Sequence, residues 1–287
     1  SSFSYFSFEQ PYLRYIRVGA DGKLKQIEGI ELPEMVMMHD FNITENYVIF
    51  MDLPLALDLN LLASGIPFRF KRENQARLGV MPRNGCAEDI RWFEINPCYV
   101  FHQVNAWERG DIITLFVSKQ NSAFGADSGD FSEVSRLHRW QINLATGQVT
   151  EEKVDDRPGD FGRVNDRFVG QQSQFGYLMA LDGEGNSEEP SYGPKLYQYD
   201  LISGHCNEHD LGAGTRGAEP VYAPVPSSKA ENDGWVMCLV HNEHANKSKL
   251  VIIDADNFAA APVASIELPY PVPYGAHGNW IEDRQLN

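Results

Sequence analysis

The stretch Trp140-Gln-Ile-Asn143-Leu-Ala-Thr-Gly147 recurs 57 residues later as Tyr197-Gln-Tyr-Asp200-Leu-Ile-Ser-Gly204, and a looser copy, Val251-Ile-Ile-Asp254-Ala-Asp-Asn, follows after 54 more. In each copy a strand-like run ends at Asn or Asp, whose side chain can cap a turn, and in the first two a glycine can supply positive φ. The spacing is close to the roughly 40–50 residues of a four-stranded propeller blade. Repeated sheets around an axis are therefore predicted, with a β-sandwich of similar hairpins as the alternative.

The rest of the chain also has the pattern of short strands bounded by turns. Runs such as Tyr47–Met51, Asp111–Val117 and Leu250–Ile253 are rich in β-branched and aromatic residues, and the best helix candidate is the short stretch Leu55–Ser64. No stretch has the composition of a linker between domains. An all-β fold in a single domain over residues 1–287 is therefore predicted.

Composition narrows the classes of partner and site. The 287 residues include 24 Lys and Arg against 40 Asp and Glu, a net charge of −16, so the chain repels phosphate backbones and nucleic acid is not an expected partner. The four cysteines form no Cys-x-x-Cys pair, which argues against a disulfide framework and a structural zinc site. No apolar run approaches the ~18–20 residues of a membrane span. A cytoplasmic location is the default expectation, and membrane contact through surface loops is left open.

Three histidines stand out because each lies in a run of strand character. The runs are Met38-His39-Asp40-Phe41, Phe101-His102-Gln-Val-Asn105-Ala106 and Gly275-Ala-His277-Gly278-Asn-Trp280. They are too far apart in sequence for a local metal finger, but strands from distant parts of the fold could bring them to one point, and converging imidazoles indicate a transition metal. Taken singly, His39 and His102 fit a core position better than a metal site, because strand alternation puts each on an apolar face.

Longer segments around these histidines resemble one known family. The runs Met38-His39-Asp40-Phe41-Asn-Ile-Thr44-Glu-Asn-Tyr47, Phe101-His102-Gln-Val-Asn105-Ala106-Trp-Glu108 and Tyr274-Gly-Ala-His277-Gly278-Asn-Trp280 are similar to three signature segments of the carotenoid cleavage oxygenases. The bacterial branch that contains the lignostilbene dioxygenases is the best match, helped by Ile90-Arg-Trp-Phe-Glu94. The resemblance extends over nearly the whole chain.

The resemblance implies a seven-bladed β-propeller whose axis holds one non-haem Fe(II) on four histidines. His39, His102 and His277 would be three of these ligands. The fourth family ligand lies upstream of the segment that matches Ser1, so we expect that roughly the first third of the parent protein is missing and that only part of the blades is present.

The resemblance also implies carboxylates behind the histidines. Four neutral imidazoles leave the charge of the metal uncompensated, so neighbouring carboxylates must orient the rings and offset that charge. Glu219, in Gly217-Ala-Glu219-Pro220, matches a family glutamate. Asp160, in Asp160-Phe-Gly-Arg163, stands where the family usually has Glu. Because Asp is one methylene shorter, either a shift of the strand or a bridging water is expected there.

The implied reaction is the oxidative cleavage of a conjugated carbon–carbon double bond by O2, giving two carbonyl products from a hydrophobic stilbenoid or apocarotenoid. A non-catalytic propeller used for binding, or a relative that isomerises its substrate, is the alternative. A propeller that lacks blades has open strand edges and an incomplete metal shell. The 287 residues alone are therefore expected to be inactive or to self-associate.

Overall fold

The computed structural model describes residues 2–6, 9–124, 134–182, 192–275 and 277–283. Strands dominate these residues, and their helices are three short 3₁₀ turns, Leu59–Ser64, Ala87–Asp89 and Asp166–Phe168. The predicted helix at Leu55–Ser64 is thus only partly helical, because Leu55–Leu57 pair as a strand. In the part of the chain that is described, no helix has the length and apolar character needed to cross a membrane.

The strands form successive antiparallel sheets. Sheet 1 contains β1 (Ser2–Phe6), β2 (Leu13–Val18) and β3 (Leu24–Ile30). Sheet 2 contains β4 (Asn42–Ile43), β5 (Tyr47–Asp52), β8 (Ala76–Pro82) and β9 (Arg91–Ile95), and a separate pair is made by β6 (Leu55–Leu57) and β7 (Phe68–Phe70). The next seven strands are β10 (Tyr99–Arg109), β11 (Ile112–Gln120), β12 (Arg136–Asn143), β13 (Val149–Arg163), β14 (Phe175–Leu181), β15 (Tyr192–Asp200) and β16 (Cys206–Asp210). These seven strands form sheets 3 and 4, which are defined below. Sheet 5 contains β17 (Thr215–Gly217), β18 (Val221–Pro224), β19 (Gly234–Asn242), β20 (Lys247–Asp254) and β21 (Ala264–Glu267).

The long strand β13 divides the seven-stranded sheet into two four-stranded ones. Its beginning, from Val149 to Lys153, pairs with β12, and its end, from Gly159 to Arg163, pairs with β14. We call β10–β12 with the beginning of β13 sheet 3, and the end of β13 with β14–β16 sheet 4. Because one strand belongs to both sheets, sheet 4 is held directly beside sheet 3.

The repeated hairpins join equivalent strands of sheets 3 and 4. Asn143 at the end of β12 and Asp200 at the end of β15 each accept hydrogen bonds from backbone N–H groups two and three residues further on. Gly147 and Gly204 then adopt positive φ, 78° and 77°, which an L side chain resists. The predicted hairpins, with their capping side chains, are therefore confirmed.

Apolar cores lie between successive sheets rather than inside one barrel. Leu78 of sheet 2 and Leu115 of sheet 3 share one buried core, and Phe116 of sheet 3 shares the next with Leu178 of sheet 4. Adjacent residues of β11 thus enter different cores, and β11 is buried almost continuously. Alternating burial is lost because both faces of a central sheet are covered.

Within the described residues, one face of sheet 5 packs against sheet 4, and the other face is only partly covered. Val236 and Val240 of β19 are buried in the core shared with sheet 4, whereas Trp235 and Leu239, which point the other way, are exposed. Sheet 1, at the other end of the described part, likewise exposes Leu24 and Ile27 on β3. Sheets 1 and 5, the first and last sheets of the described part, therefore both carry exposed apolar side chains.

Candidate metal centre

The three histidines are carried by different kinds of backbone. His102 lies in β10, whereas His39 lies in the irregular stretch before β4 and His277 in the irregular segment after β21. The expectation that all three lie in strands is therefore wrong for His39 and His277. Both are held instead by bonds that involve side chains, which the local sequence pattern does not reveal.

The structure nevertheless brings the three rings together. The ring centroid of His102 lies 4.8 Å from that of His39 and 5.0 Å from that of His277, and the outer two rings are 6.2 Å apart. One nitrogen from each ring lies within 4.8 Å of the others. Imidazole nitrogens on opposite sides of one ion are about 4.2 Å apart when each bond is about 2.1 Å. The bound of 4.8 Å exceeds this span by about 0.6 Å, so a small inward shift of the rings would bring all three nitrogens onto one transition metal ion.

Each ring has a hydrogen-bond acceptor at its Nδ1 atom. His39 Nδ1 lies 2.9 Å from the Phe101 carbonyl oxygen, His102 Nδ1 lies 3.0 Å from Asp160 Oδ1, and His277 Nδ1 lies 3.2 Å from Glu219 Oε1. A neutral imidazole that donates from Nδ1 has its lone pair on Nε2, where a metal can bind. These acceptors favour the same tautomer, with the proton on Nδ1, in all three rings when they are neutral.

The loop of His39 is attached to β10 on both sides of His102. His39 donates to the carbonyl of Phe101, and the Asp40 carboxylate accepts a hydrogen bond from the Gln103 backbone N–H at 3.2 Å. The ladder between β10 and β11 is irregular from Val100 to Gln103, which leaves these backbone groups of β10 free for the loop. Asp40 is therefore part of the site, although neighbouring residues of a regular strand would lie on opposite faces.

Asp160 reaches His102 directly, and neither residue needs a bridging water. The pairing of β13 with β14 shifts register between Asp160 and Arg163, and Phe161 between them has a φ of 57°. Such a bulge re-aims a side chain. The first of the two expected solutions, a shift of the strand, therefore compensates for the shorter Asp. The bulge also places the Phe161 ring 4.3 Å from the ring of His102.

Gly162 permits the close approach of this bulge to β10. A Cβ atom at position 162 would lie 2.5 Å from Val104 Cγ2 and 3.1 Å from the Val104 Cα atom, two residues after His102. We expect Gly162→Ala to push β13 away from β10, to lower the free energy of unfolding by ~1–3 kcal/mol and to weaken metal binding about 10-fold. Chemical denaturation and a metal titration measure the two effects.

Gly275→Ala is the matched control for this substitution. A Cβ atom at position 275, close to His277, would meet nothing within 4 Å. If both variants behaved like the unchanged chain, close packing at Gly162 would not control the position of Asp160.

Glu219 is a buried carboxylate that holds the segment around His277. Its side chain is 6% exposed, Oε1 lies near His277 Nδ1, and Oε2 accepts a hydrogen bond from the Gly278 backbone N–H at 2.8 Å. Arg163 Nη1 lies 3.2 Å from Glu219 Oε1 and compensates its charge. The sequence pointed to Glu219 only through the family resemblance, and to Arg163 not at all.

The charge states of the cluster follow from burial and from its carboxylates. Burial lowers the pKa of His39, and the neighbouring ring of His102 adds to the decrease. Burial also acts to lower the pKa of His102, but the hydrogen bond and the negative charge of Asp160 outweigh it, so this pKa is raised. Burial raises the pKa of the Asp40 carboxyl group. At neutral pH His39 is therefore uncharged, the form that binds a metal.

Other histidines have structural partners. His209 is buried with Nδ1 at 2.8 Å from the Phe258 carbonyl oxygen, and His241 Nδ1 lies 3.1 Å from Ser248 Oγ. Among the described residues, His39, His102 and His277 form the one group of three or more His, Cys, Asp or Glu side chains whose donor atoms converge.

Two cavities meet at His277. The first, of about 260 Å³, lies among the three histidines and is also lined by Asp40, Gly162 and Arg163. The second, of about 380 Å³, is apolar and opens onto the partly covered face of sheet 5, where Met237, Leu239 and Trp280 line it. Of these two cavities, the first is lined by all three histidines and the second by His277 alone of the three.

Comparison with known proteins identifies the family. Residues 2–282 match the family model described as RPE65, retinal pigment epithelial membrane protein. The chain belongs to this family, which includes the carotenoid oxygenases. It is 35% identical to the carotenoid 9,10(9',10')-cleavage dioxygenase 1 of Phaseolus vulgaris, covering 99% of this chain and 56% of that protein, and 31% identical to the carotenoid cleavage oxygenase of Mycobacterium tuberculosis, covering 96% and 64%.

A solved structure of the same family has the same fold. The lignostilbene dioxygenase of Pseudomonas brassicacearum superposes with a TM-score of 0.84 at 28% identity, covering 94% of this chain and 60% of that one. The predicted all-β fold of the carotenoid oxygenase type is confirmed, while the number of blades stays a prediction. This chain spans between about half and two thirds of the length of these three proteins.

Proposed function

We propose that the chain is the larger part of an Fe(II)-dependent dioxygenase. The protein would cleave a conjugated carbon–carbon double bond with O2, so that each alkene carbon becomes a carbonyl carbon. The observation that carries this proposal is the convergence of three histidine rings whose Nδ1 atoms all face acceptors. This arrangement leaves the Nε2 atoms of three neighbouring rings available for one metal ion.

The donor set fits a first-row transition metal such as iron. His39, His102 and His277 would hold the ion, and imidazole suits iron, copper, nickel and zinc. Bound iron would supply the activation of O2 that cleavage requires. Phe101 O, Asp160 and Glu219 would orient the rings, and Asp160 and Glu219 would offset the charge of the ion. The rings of Phe101 and Phe161 lie beside the histidines and would keep water away from an apolar alkene.

The fourth ligand and part of the propeller would come from residues outside these 287. The exposed apolar side chains of sheets 1 and 5 are where further sheets of a partial propeller would pack. We therefore infer a single propeller domain that continues beyond this chain. The isolated chain would bind metal weakly and be inactive, and its self-association stays a prediction.

The substrate class follows from the relatives. The chain resembles both enzymes named for carotenoid cleavage and an enzyme named for lignostilbene cleavage. We propose a hydrophobic stilbenoid or apocarotenoid as the substrate.

Iron content and product analysis of a polypeptide extended to the full length of its relatives test the proposal. We expect about one iron per chain, and O2-dependent formation of two carbonyl products from a stilbene, an isoeugenol-like phenol or an apocarotenal. Iron without O2 uptake on any of these would favour an isomerase or a non-catalytic binding module. Absence of bound metal from the extended protein would refute the metal centre itself.

A further inference from the structure

The segment that carries His277 has little backbone support. After β21, Leu268 donates to the Ser248 carbonyl, and among the described residues no later backbone–backbone hydrogen bond joins this segment to the sheets. A metal ligand on such a segment needs other contacts, because a site must be held within about 0.5 Å of its working geometry.

Arg163 supplies these contacts from the end of β13. Its Nη1 atom donates to the Gly278 carbonyl oxygen at 2.8 Å and lies 3.2 Å from Glu219 Oε1, while Nη2 donates to Asn279 Oδ1 at 3.2 Å. The planar guanidinium can serve several acceptors at once, which a lysine ammonium on a flexible stem does less well.

These bonds close a ring around the backbone of Gly278, the residue that follows His277. Glu219 accepts from the N–H of Gly278, Arg163 donates to the carbonyl of Gly278, and the two side chains pair with each other. The Glu219 carboxylate that faces His277 is thus itself held by Arg163. Both backbone polar groups of Gly278, its N–H and its carbonyl oxygen, are therefore hydrogen-bonded to side chains.

We propose that Arg163 is a positioning residue that fixes His277 in the metal centre. Arg163 lies three residues after Asp160, the partner of His102, so one stretch of β13 holds two of the three histidines. The 5.0 Å separation between the rings of His102 and His277 is then set by this stretch. The inference rests on the proposed metal centre and assigns to it a residue that does not touch the ion.

The charge of Arg163 makes the proposal sharply testable. Removing a positive charge beside a cation site strengthens cation binding if the effect is only electrostatic. Removing a positioning residue weakens it, by about 10-fold or more for residues that orient metal ligands. The two roles therefore predict changes of opposite sign.

The experiment compares Arg163→Gln with Arg139→Gln in the polypeptide extended to the full length of its relatives. Arg139 pairs with Glu152 on the exposed surface of sheet 3, so its loss changes the net charge equally at a distance from the site. Co²⁺ titration, followed by the absorption of the bound ion, measures affinity. We expect Arg163→Gln to raise the Kd for Co²⁺ about 10-fold, Arg163→Lys to give an intermediate value and Arg139→Gln to have little effect.

A second readout needs no metal. In the metal-free chain, hydrogen exchange of the peptide that contains Gly278 should be faster in Arg163→Gln than in the unchanged chain, while circular dichroism shows an intact fold. An unchanged exchange rate, or a Kd that is unchanged or lower, would overturn the positioning role. If Arg163→Gln did not fold, the same comparisons made with Arg163→Lys would decide. If the unchanged extended protein bound no Co²⁺, the proposed metal centre would fail, and the exchange rates alone would decide the role of Arg163.

Discussion

Replacing His102 with alanine is expected to remove stoichiometric iron from the extended protein and to abolish alkene cleavage. His102 is the central ring of the cluster, close to both His39 and His277, whereas those two rings are further from each other. Loss of a partner that only orients a ligand already costs 10–100-fold in metal affinity, so loss of the ligand itself should cost more than about 100-fold. Iron analysis of the purified variant and a product assay measure the effect.

His205→Ala is the control for this substitution. His205 is exposed, lies in the turn before β16 and contacts Asn207 rather than the cluster. Its loss should leave iron content and activity unchanged. Full iron occupancy in the His102→Ala variant would show that the three rings are not a metal site, whatever their arrangement.

Replacing Asp160 with alanine should have the second largest effect. The Nδ1–H group of the largely buried His102 ring would lose its acceptor, and the ring would be free to rotate. Metal affinity should fall 10–100-fold. In the metal-free protein the pKa of His102 should also fall, because Asp160 contributes most to raising it against the effect of burial, ahead of Asp40 and Glu219. A metal titration and an NMR titration of the histidine rings measure the two changes.

Asp160→Glu separates the length of this side chain from its charge. The family resemblance implies Glu at this position, but here the bulge at Phe161 already brings the shorter Asp within 3.0 Å of the ring. A longer side chain would have to fold back, so we expect less than a 10-fold loss of affinity. Affinity in Asp160→Ala equal to that of the unchanged chain would mean that His102 is oriented by other groups.

Much of the fold could be predicted because its signals are local. Asn143 and Asp200 cap their turns through backbone groups only two and three residues away, and Gly147 and Gly204 follow at fixed offsets. Such contacts depend on a few consecutive residues, so the repeat and the β-class were visible in the pattern of residue types. The continuous burial of β11 was not visible, because it depends on the sheets at both sides.

The sequence predicted which residues belong to the candidate site, but not which side chains and backbone groups hold them in place. His39, His102, His277, Glu219 and Asp160 could be named from family-like segments, yet two of the histidines lie outside strands. Asp40 and Arg163 were missed, because their partners Gln103 and Gly278 lie 63 and 115 residues away. No local period predicts which distant backbone groups such side chains will reach.

The order of residue types was therefore enough to predict an all-β chain and its repeated hairpins, since both depend on short-range geometry. The candidate metal-binding side chains were named through the family resemblance of the longer segments around them. The spacing of the rings, the direct Asp160–His102 bond and the Arg163 contacts depended on the stacking of sheets 3, 4 and 5 and on the bulge in β13. Those features arise from packing between segments far apart in the chain, where small shifts of one sheet against another decide which atoms meet.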